Sequence, residues 1–213
     1  MLLELSEILA CPECGPPQVM VAVVHEALGH RVTRGFLGCP ACDSRFSIEE
    51  GAVHLVRQES RGSRAASMTP TVPVPEEAAM LAGAVLDLAR GSGHLLVAPE
   101  LATIVDAVAA LAERWEVVSL GAIPSNHGGQ SVNVSRIVVP DGETAPVLAG
   151  RCRAAVLAGD PSSHRIREFA RALGPLGRLA IIAPGSGAVA AMREAGLEVI
   201  ASDKRVAVAL RRS

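Results

Sequence analysis

Aromatic residues and lysine are almost missing from this chain of 213 residues. Aromatic side chains make up 2% of it, with no tyrosine, and Lys204 is the only lysine. Arginine carries the remaining positive charge, and the formal net charge is −2. A protein surface that binds nucleic acid needs a basic patch, and one that binds single strands also needs aromatic side chains on which bases stack. The composition therefore disfavours direct contact with nucleic acid.

Long apolar runs are also missing. Although 49% of the residues are hydrophobic, no uninterrupted run reaches the about 18 residues that a membrane-spanning helix needs. The first residues, 1–5, carry no basic leader of the kind that opens a signal peptide. We therefore expect a cytoplasmic protein that has no membrane contact and keeps its thiols reduced.

Four of the five cysteines form two Cys-x-x-Cys pairs, Cys11 with Cys14 and Cys39 with Cys42. Each pair can make a tight turn that points both sulfurs at one metal ion, and four thiolates are a ligand set of structural Zn²⁺. Such a site has no open position for water or substrate, so it stabilises structure and performs no chemistry. The spacing predicts a structural zinc site on these four residues.

Other interpretations of the thiols and imidazoles stay open but are weaker. A reducing compartment disfavours disulfide bonds, and unrelated buried cysteines seldom show this spacing. His25, His30 and His54 could each be proposed as ligands, but four sulfurs already complete a tetrahedron. Cys152 lies in an apolar, strand-like run, where a small buried side chain is a more frequent role than a nucleophile.

The composition divides the chain into three parts. Residues 1–56 hold the zinc ligands and predict a zinc-ribbon domain. Residues 57–75 are rich in Gln, Ser, Arg and Thr and end with three prolines that forbid a helix, so they predict a linker. Residues 76–213 alternate helical and strand-like segments, which is typical of a doubly wound α/β domain.

The periodicity predicts individual elements in both domains. In the first, we expect strands over 2–9, 18–25 and 31–37, and a hairpin over 45–56 that turns at Glu50 and Gly51. In the second, we expect helices over 76–88, 100–114, 162–173 and 187–195, and strands over 94–99, 115–120, 134–139, 154–158, 178–184, 196–201 and 205–210. The short turn between the last two strands makes them antiparallel.

Two family resemblances follow from these segments. Residues 8–14 (ILACPEC), 38–42 (GCPAC) and 46–53 (FSIEEGAV) resemble the small zinc-ribbon activators that partner tRNA, rRNA and translation-factor methyltransferases, although Ala52 and Val53 replace the usual Ile-Pro. Residues 166–184 and 192–212 resemble the second half of class I S-adenosylmethionine-dependent methyltransferases. The resemblances imply an α/β protein, in which a small β-rich zinc ribbon precedes a Rossmann-like, doubly wound sheet that ends in an antiparallel hairpin.

The cofactor motifs of that enzyme class are missing from their expected places. An active member usually has an acid and a glycine-rich loop after its first strand, and an acid after its second strand for the ribose hydroxyls. Here the first strand runs into 97–101 (VAPEL), and the second runs into 120–122 (LGA).

In an alternative reading, 85–93 (VLDLARGSG) is the glycine loop, Gly91 and Gly93 contact the cofactor, and 94–114 form one long helix with Pro99 inside it. A plain helix C-terminus explains the same glycines. Two polar loops, 126–130 and 160–163, could also lie at the ligand edge of the sheet.

These observations favour a non-catalytic, zinc-binding adaptor or scaffold protein. Its methyltransferase-like domain would be degenerate, it would have no catalytic residues, and its cofactor would be structural Zn²⁺. A protein partner is implied, either a methyltransferase or a second copy of the chain. The alternative is an active S-adenosylmethionine-dependent methyltransferase that acts on RNA, protein or a small metabolite and uses Gly91 and Gly93.

Overall fold

A computed structural model describes residues 1–56, 74–75, 77–121, 131–139 and 143–212. In this part of the chain, eleven strands form one mixed sheet in the order β1-β2-β3-β4-β7-β6-β5-β8-β9-β11-β10. The strands are β1 (Val21–Leu28), β2 (Arg31–Gly38), β3 (Arg45–Glu49), β4 (Ala52–His54), β5 (Gly93–Val97), β6 (Trp115–Leu120), β7 (Val134–Val138), β8 (Cys152–Ala158), β9 (Leu173–Ile182), β10 (Leu197–Ser202) and β11 (Val206–Arg211). The helices are α1 (Ala78–Leu86), α2 (Val105–Leu111), α3 (Ser163–Ala172) and α4 (Ala188–Glu194). The predicted linker lies outside the described residues, except for Val74 and Pro75.

The second half of the chain contains the predicted doubly wound sheet. Strands β7, β6, β5, β8 and β9 are parallel, and β11 inserts antiparallel between β9 and β10. Numbered from β5 as the first strand, the order is 3-2-1-4-5-7-6. Side chains alternate between the faces, so Leu95 and Val97 pack under α1 and α2, whereas Leu96 packs on the other face with α3 and α4.

The ribbon does not stand apart from this sheet. Strand β4 pairs antiparallel with β3 on one side and parallel with β7 on the other, and the backbone N–H of Leu55 donates to Val138 O at 2.9 Å. Apolar side chains of both predicted domains lie in one core, among them Leu5 and Phe46 from the ribbon and Ile137 and Val147 from the second half. One sheet and one core therefore cross the predicted linker.

Two predicted elements have a different form in the structure. Residues Leu3–Glu7 form a 3-10 helix instead of the predicted strand over 2–9. Met1, Leu5, Ile8 and Leu9 are all buried, which is a spacing of three to four residues and not the alternation of a strand. The helix predicted over 100–114 winds as a 3-10 helix over Pro99–Ile104 before α2 begins.

The predicted helix over 162–173 and strand over 178–184 left a gap at 174–177, and this segment belongs to β9, which starts directly after α3. All helices in the described part of the chain are too short or too polar to span a bilayer.

Candidate functional site

The four cysteines of the two pairs come together in space. Their sulfurs all lie within 4.8 Å of one another, and the Sγ–Sγ distances are 3.7 Å from Cys11 to Cys42 and 3.8 Å from Cys14 to Cys39. A tetrahedron with metal–sulfur bonds of about 2.3 Å has edges of about 3.8 Å. A disulfide would need about 2 Å. The cluster therefore has the size of a four-thiolate metal site and could hold a metal ion.

Two turns of the same design build the cluster. The carbonyl of Cys11 accepts from Gly15 N at 2.8 Å, and the carbonyl of Cys39 accepts from Asp43 N at 3.0 Å. Gly15 and Asp43 have positive φ angles of 70° and 57°, which closes each turn four residues after its first cysteine. The first cysteine of each pair is buried and the second is exposed, so one side of the cluster faces solvent.

The local surroundings shift the thiol pKa values in different directions. Burial raises the pKa of Cys11, and hydrogen bonding with Cys42 raises the pKa of Cys14 to about 12. The Ser44 hydroxyl, and then its backbone N–H, lower the pKa of Cys42 to about 6. Since a metal ion binds thiolates, loading the cluster must release protons from the other thiols, and affinity falls as pH falls.

The imidazoles of the ribbon lie outside this cluster. His30 Nδ1 is 3.4 Å from a carboxylate oxygen of Glu4 on the surface, and the His25 ring packs edge-on against Phe36 at 5.9 Å between centroids. Cys152 is completely buried on β8, and burial raises its pKa to about 12.

The second candidate site is the crevice at the carboxyl ends of β5 and β8. The chain leaves β5 towards β6 and β7, then crosses back to β8 on the other side of β5. In open α/β sheets, ligands bind where the strand order reverses in this way. Ser162 caps α3 beyond β8, because its Oγ accepts from Arg165 N at 3.1 Å.

A buried ion pair lies in this crevice. Glu100 follows β5 and Arg165 is on the first turn of α3, and the residues are 8% and 7% exposed. One carboxylate oxygen of Glu100 accepts from Ala158 N at 2.9 Å, and the other pairs with Nη2 of Arg165. The guanidinium also lies 5.8 Å from the Phe169 ring centroid. The pair thus joins the end of β5 to the end of β8 through the protein's own side chains.

Two glycines at neighbouring strand ends also make close contacts. A methyl group on Gly121, at the end of β6, would lie 2.9 Å from Cβ of Pro99, so Pro99 lies directly against that strand end. A methyl group on Gly185 would overlap the carboxylate of Asp160, and Gly185 N donates to Gly159 O at 3.0 Å. The polar loop over 126–130 lies outside the described residues.

Gly91 and Gly93 lie at the opposite, amino-terminal end of β5. The helix that the alternative reading needs over 94–114 is replaced by β5 and the 3-10 helix. A methyl group on Gly91 would overlap the Trp115 indole, and one on Gly93 would lie 3.3 Å from Cβ of Arg153. Gly91 therefore packs against Trp115, and Gly93 has a φ of 126°, which glycine adopts more readily than other residues. The helix end itself is Asp87, with a left-handed φ of 54°.

Comparisons by sequence find no relative, because no family model and no curated protein matches the chain. Comparison by structure finds mainly methyltransferases, together with the [4+2]-cyclase SpnF. A chain from the complex between the Haloferax volcanii Trm112 methyltransferase activator and a methyltransferase is 14% identical, with 63% of this chain and 92% of that chain covered and a TM-score of 0.46. The antibiotic-resistance methyltransferase Kmr is 14% identical, with 59% and 89% covered and a TM-score of 0.43. The aminoglycoside-resistance methyltransferase NpmB1 is 13% identical, with 67% and 97% covered and a TM-score of 0.42.

The strand order settles the class of fold. A parallel sheet in the order 3-2-1-4-5, extended by a final antiparallel hairpin, is the Rossmann-like arrangement of class I methyltransferases. The α/β fold predicted from the sequence is therefore confirmed.

Sequence reasoning missed the Glu100–Arg165 pair. The two residues are 65 positions apart, and the only signal in the sequence was an acid directly after the first strand of a Rossmann-like domain.

Proposed function

We propose that this protein is a zinc-binding adaptor or scaffold whose methyltransferase-like domain does not use S-adenosylmethionine. The observation that carries the proposal is the Glu100–Arg165 pair in the crevice where this fold class binds its ligand. A cofactor there would have to displace or rearrange two charges that are each more than nine-tenths buried. Breaking a buried pair costs about 3–5 kcal/mol, since one charge loses its partner without regaining water.

The polypeptide around the pair supports the same conclusion. A glycine-rich loop lets a cofactor approach the backbone because it has no side chains, but here Pro99, Glu100 and Leu101 follow β5 and all three are buried. The place of the ribose-binding acid after the second strand is held by Gly121, which packs against Pro99.

We further propose that the four cysteines bind Zn²⁺ as a structural ion. Four sulfurs at tetrahedral spacing leave no coordination position for water or substrate. The ion would hold the two turns together and so fix the start of β1 and the end of β2, through the Cys11 N to Gln18 O and Cys39 N to Ser44 O hydrogen bonds.

The partner of the adaptor is proposed to be a protein, either a methyltransferase or a second copy of this chain. A partner strand cannot add to β4, because β3 and β7 already pair with its two edges. Among the described strands, β1 lies at one end of the sheet with a partner on one side only, and it exposes Val21, Val24 and Leu28, the last at 75%. Exposed apolar groups on an open strand support a contact by strand addition.

Calorimetric titration of the zinc-loaded protein with S-adenosylmethionine and S-adenosylhomocysteine tests the proposal. We expect no heat of binding and no shift in melting temperature with either compound. Binding with a Kd of about 1 μM, roughly −8 kcal/mol, would overturn it and restore the active methyltransferase. In that case, Gly93→Val should be titrated next, because the alternative reading requires cofactor contact at Gly93.

A further inference from the structure

A cavity lies at the amino-terminal ends of the parallel strands, opposite the crevice at their carboxyl ends. It has a volume of about 300 Å³ and is lined by side chains from five separate segments of the chain: Leu86, Asp87, Trp115, Arg153, Arg178 and Leu210. This volume is at the lower end of the range of ligand-binding cavities in proteins.

The walls of the cavity combine an apolar surface with two guanidinium groups. Leu86 ends α1, Leu210 lies on β11 beside Arg178, and Trp115 also lines the cavity. The indole is fixed, since its N–H donates to Leu88 O at 2.8 Å and Gly91 leaves room for the ring. An aromatic or aliphatic group can therefore bury its surface there without rearranging the wall.

The two guanidinium groups of the cavity form no ion pair with the described residues. In this part of the chain, the side chain of Arg153 has no hydrogen bond, and the side chain of Arg178 has one, from Nη1 to Val85 O at 3.2 Å. Asp87 is the one acid among the lining residues, and it forms no ion pair with either arginine. Two such guanidinium groups at one cavity favour an oxyanion, which can accept several of their N–H bonds.

We propose that this cavity binds a small organic anion, made of one carboxylate or phosphate group on an apolar body about the size of a benzene ring. The oxyanion lies between Arg153 and Arg178, and the apolar body lies against Trp115, Leu86 and Leu210. This site is independent of the function proposed above, because it lies at the other end of the strands.

Trp115 makes the proposal directly measurable. It is the only tryptophan, and the chain has no tyrosine, so intrinsic fluorescence reports on this cavity alone. We would titrate the full chain with phenylacetate, phenyl phosphate, inorganic phosphate and the neutral benzyl alcohol at constant ionic strength. For phenylacetate or phenyl phosphate, we expect a change in emission that saturates with a Kd of about 1 mM, and for benzyl alcohol no saturation.

The matched variants are Arg153→Met in the cavity and Arg193→Met on α4 outside it, both at exposed positions. Loss of a charged hydrogen bond should weaken binding about tenfold in Arg153→Met, whereas Arg193→Met should bind like the unchanged protein. A Kd that Arg153→Met leaves unchanged overturns the site. So does an unchanged emission and heat with both aromatic anions up to roughly 20 mM. Equal binding of benzyl alcohol overturns the anion specificity, and a difference between phenylacetate and phenyl phosphate identifies the preferred head group.

Discussion

Glu100 and Arg165 form a buried ion pair across the gap between β5 and β8, although 65 residues separate them in the chain. Arg165 Nε has no hydrogen-bond partner in the described part of the protein, so the carboxylate provides most of what stabilises this guanidinium. The pair thus connects the stability of the protein to the region at the carboxyl ends of β5 and β8.

Glu100→Gln should lower the free energy of unfolding by about 3 kcal/mol or more, because Arg165 keeps its charge and loses its counter-charge. The amide can still accept from Ala158 N, so the change tests charge and not the loss of that hydrogen bond. Denaturant unfolding measures the difference.

The double variant Glu100→Gln with Arg165→Met should recover most of that loss, since no unpaired charge stays buried. Glu113→Gln, at an exposed position, is the control and should change stability by less than about 0.5 kcal/mol. A Glu100→Gln protein as stable as this control would show that the pair is not important to the fold.

Removing the metal should destabilise the whole protein in a single transition. The ribbon shares its sheet with the second half through β4 and β7, and both halves contribute to one core. If the ion contributes about 5 kcal/mol, a chelator should lower the melting temperature by roughly 10–20 °C in calorimetry. Two separate transitions, of which only one responds to the chelator, would contradict this prediction.

Cys14→Ser is the matched variant for the metal, because Cys14 is exposed and its loss removes a ligand without removing core packing. In the presence of chelator, the variant and the unchanged protein should have the same melting temperature. In the presence of zinc, the melting temperature of the variant should be well below that of the unchanged protein.

Cys152 should make the protein less stable at high pH. Burial raises the pKa of this thiol from about 9 to about 12, so the folded state keeps the proton while the unfolded state releases it above about pH 9. The stabilisation from this difference is complete below about pH 9 and is lost as the pH rises towards 12, by about 1.4 kcal/mol for each pH unit. Between pH 8 and pH 10, the melting temperature should therefore fall further for the unchanged protein than for Cys152→Ala. Equal falls would mean that the thiol ionises in the folded state.

Gly91→Ala should destabilise the protein by about 1–3 kcal/mol, because its methyl group would overlap the Trp115 ring. Trp115 emission should shift as the indole moves. Gly187→Ala is the control, since its methyl group meets nothing within 4 Å and its φ of −84° suits any residue; we expect a change within about 1 kcal/mol. If Gly91→Ala is as stable as this control, Gly91 is not required for the packing of Trp115.

Local patterns predicted much of the fold. The apolar runs of β5, β6 and β8 and the amphipathic spacing of α3 follow from burial on one or both faces, which a chain records at short range. The pairing of Cys11 with Cys14, and of Cys39 with Cys42, is equally local, because each turn closes within four residues.

The mistaken predictions are those in which distant residues decide. The strand predicted over 2–9 is a 3-10 helix whose apolar side chains share one core with Ile137 and Val147, and the carbonyl of Ile8 accepts from Leu148 N at 2.8 Å. The 3-10 helix after β5 likewise places Glu100 under Ala158 and Arg165, which come much later in the chain.

The sequence by itself determined the two Cys-x-x-Cys turns, the order of most elements and the antiparallel end of the sheet, since each depends on spacing within a few residues. Only the tertiary structure decided that β4 joins β7, that Glu100 meets Arg165, and that two arginines share a cavity with Trp115. The reason is physical. Burial makes these contacts strong, but the residues that bury one another come from segments whose separation along the chain carries no local signal.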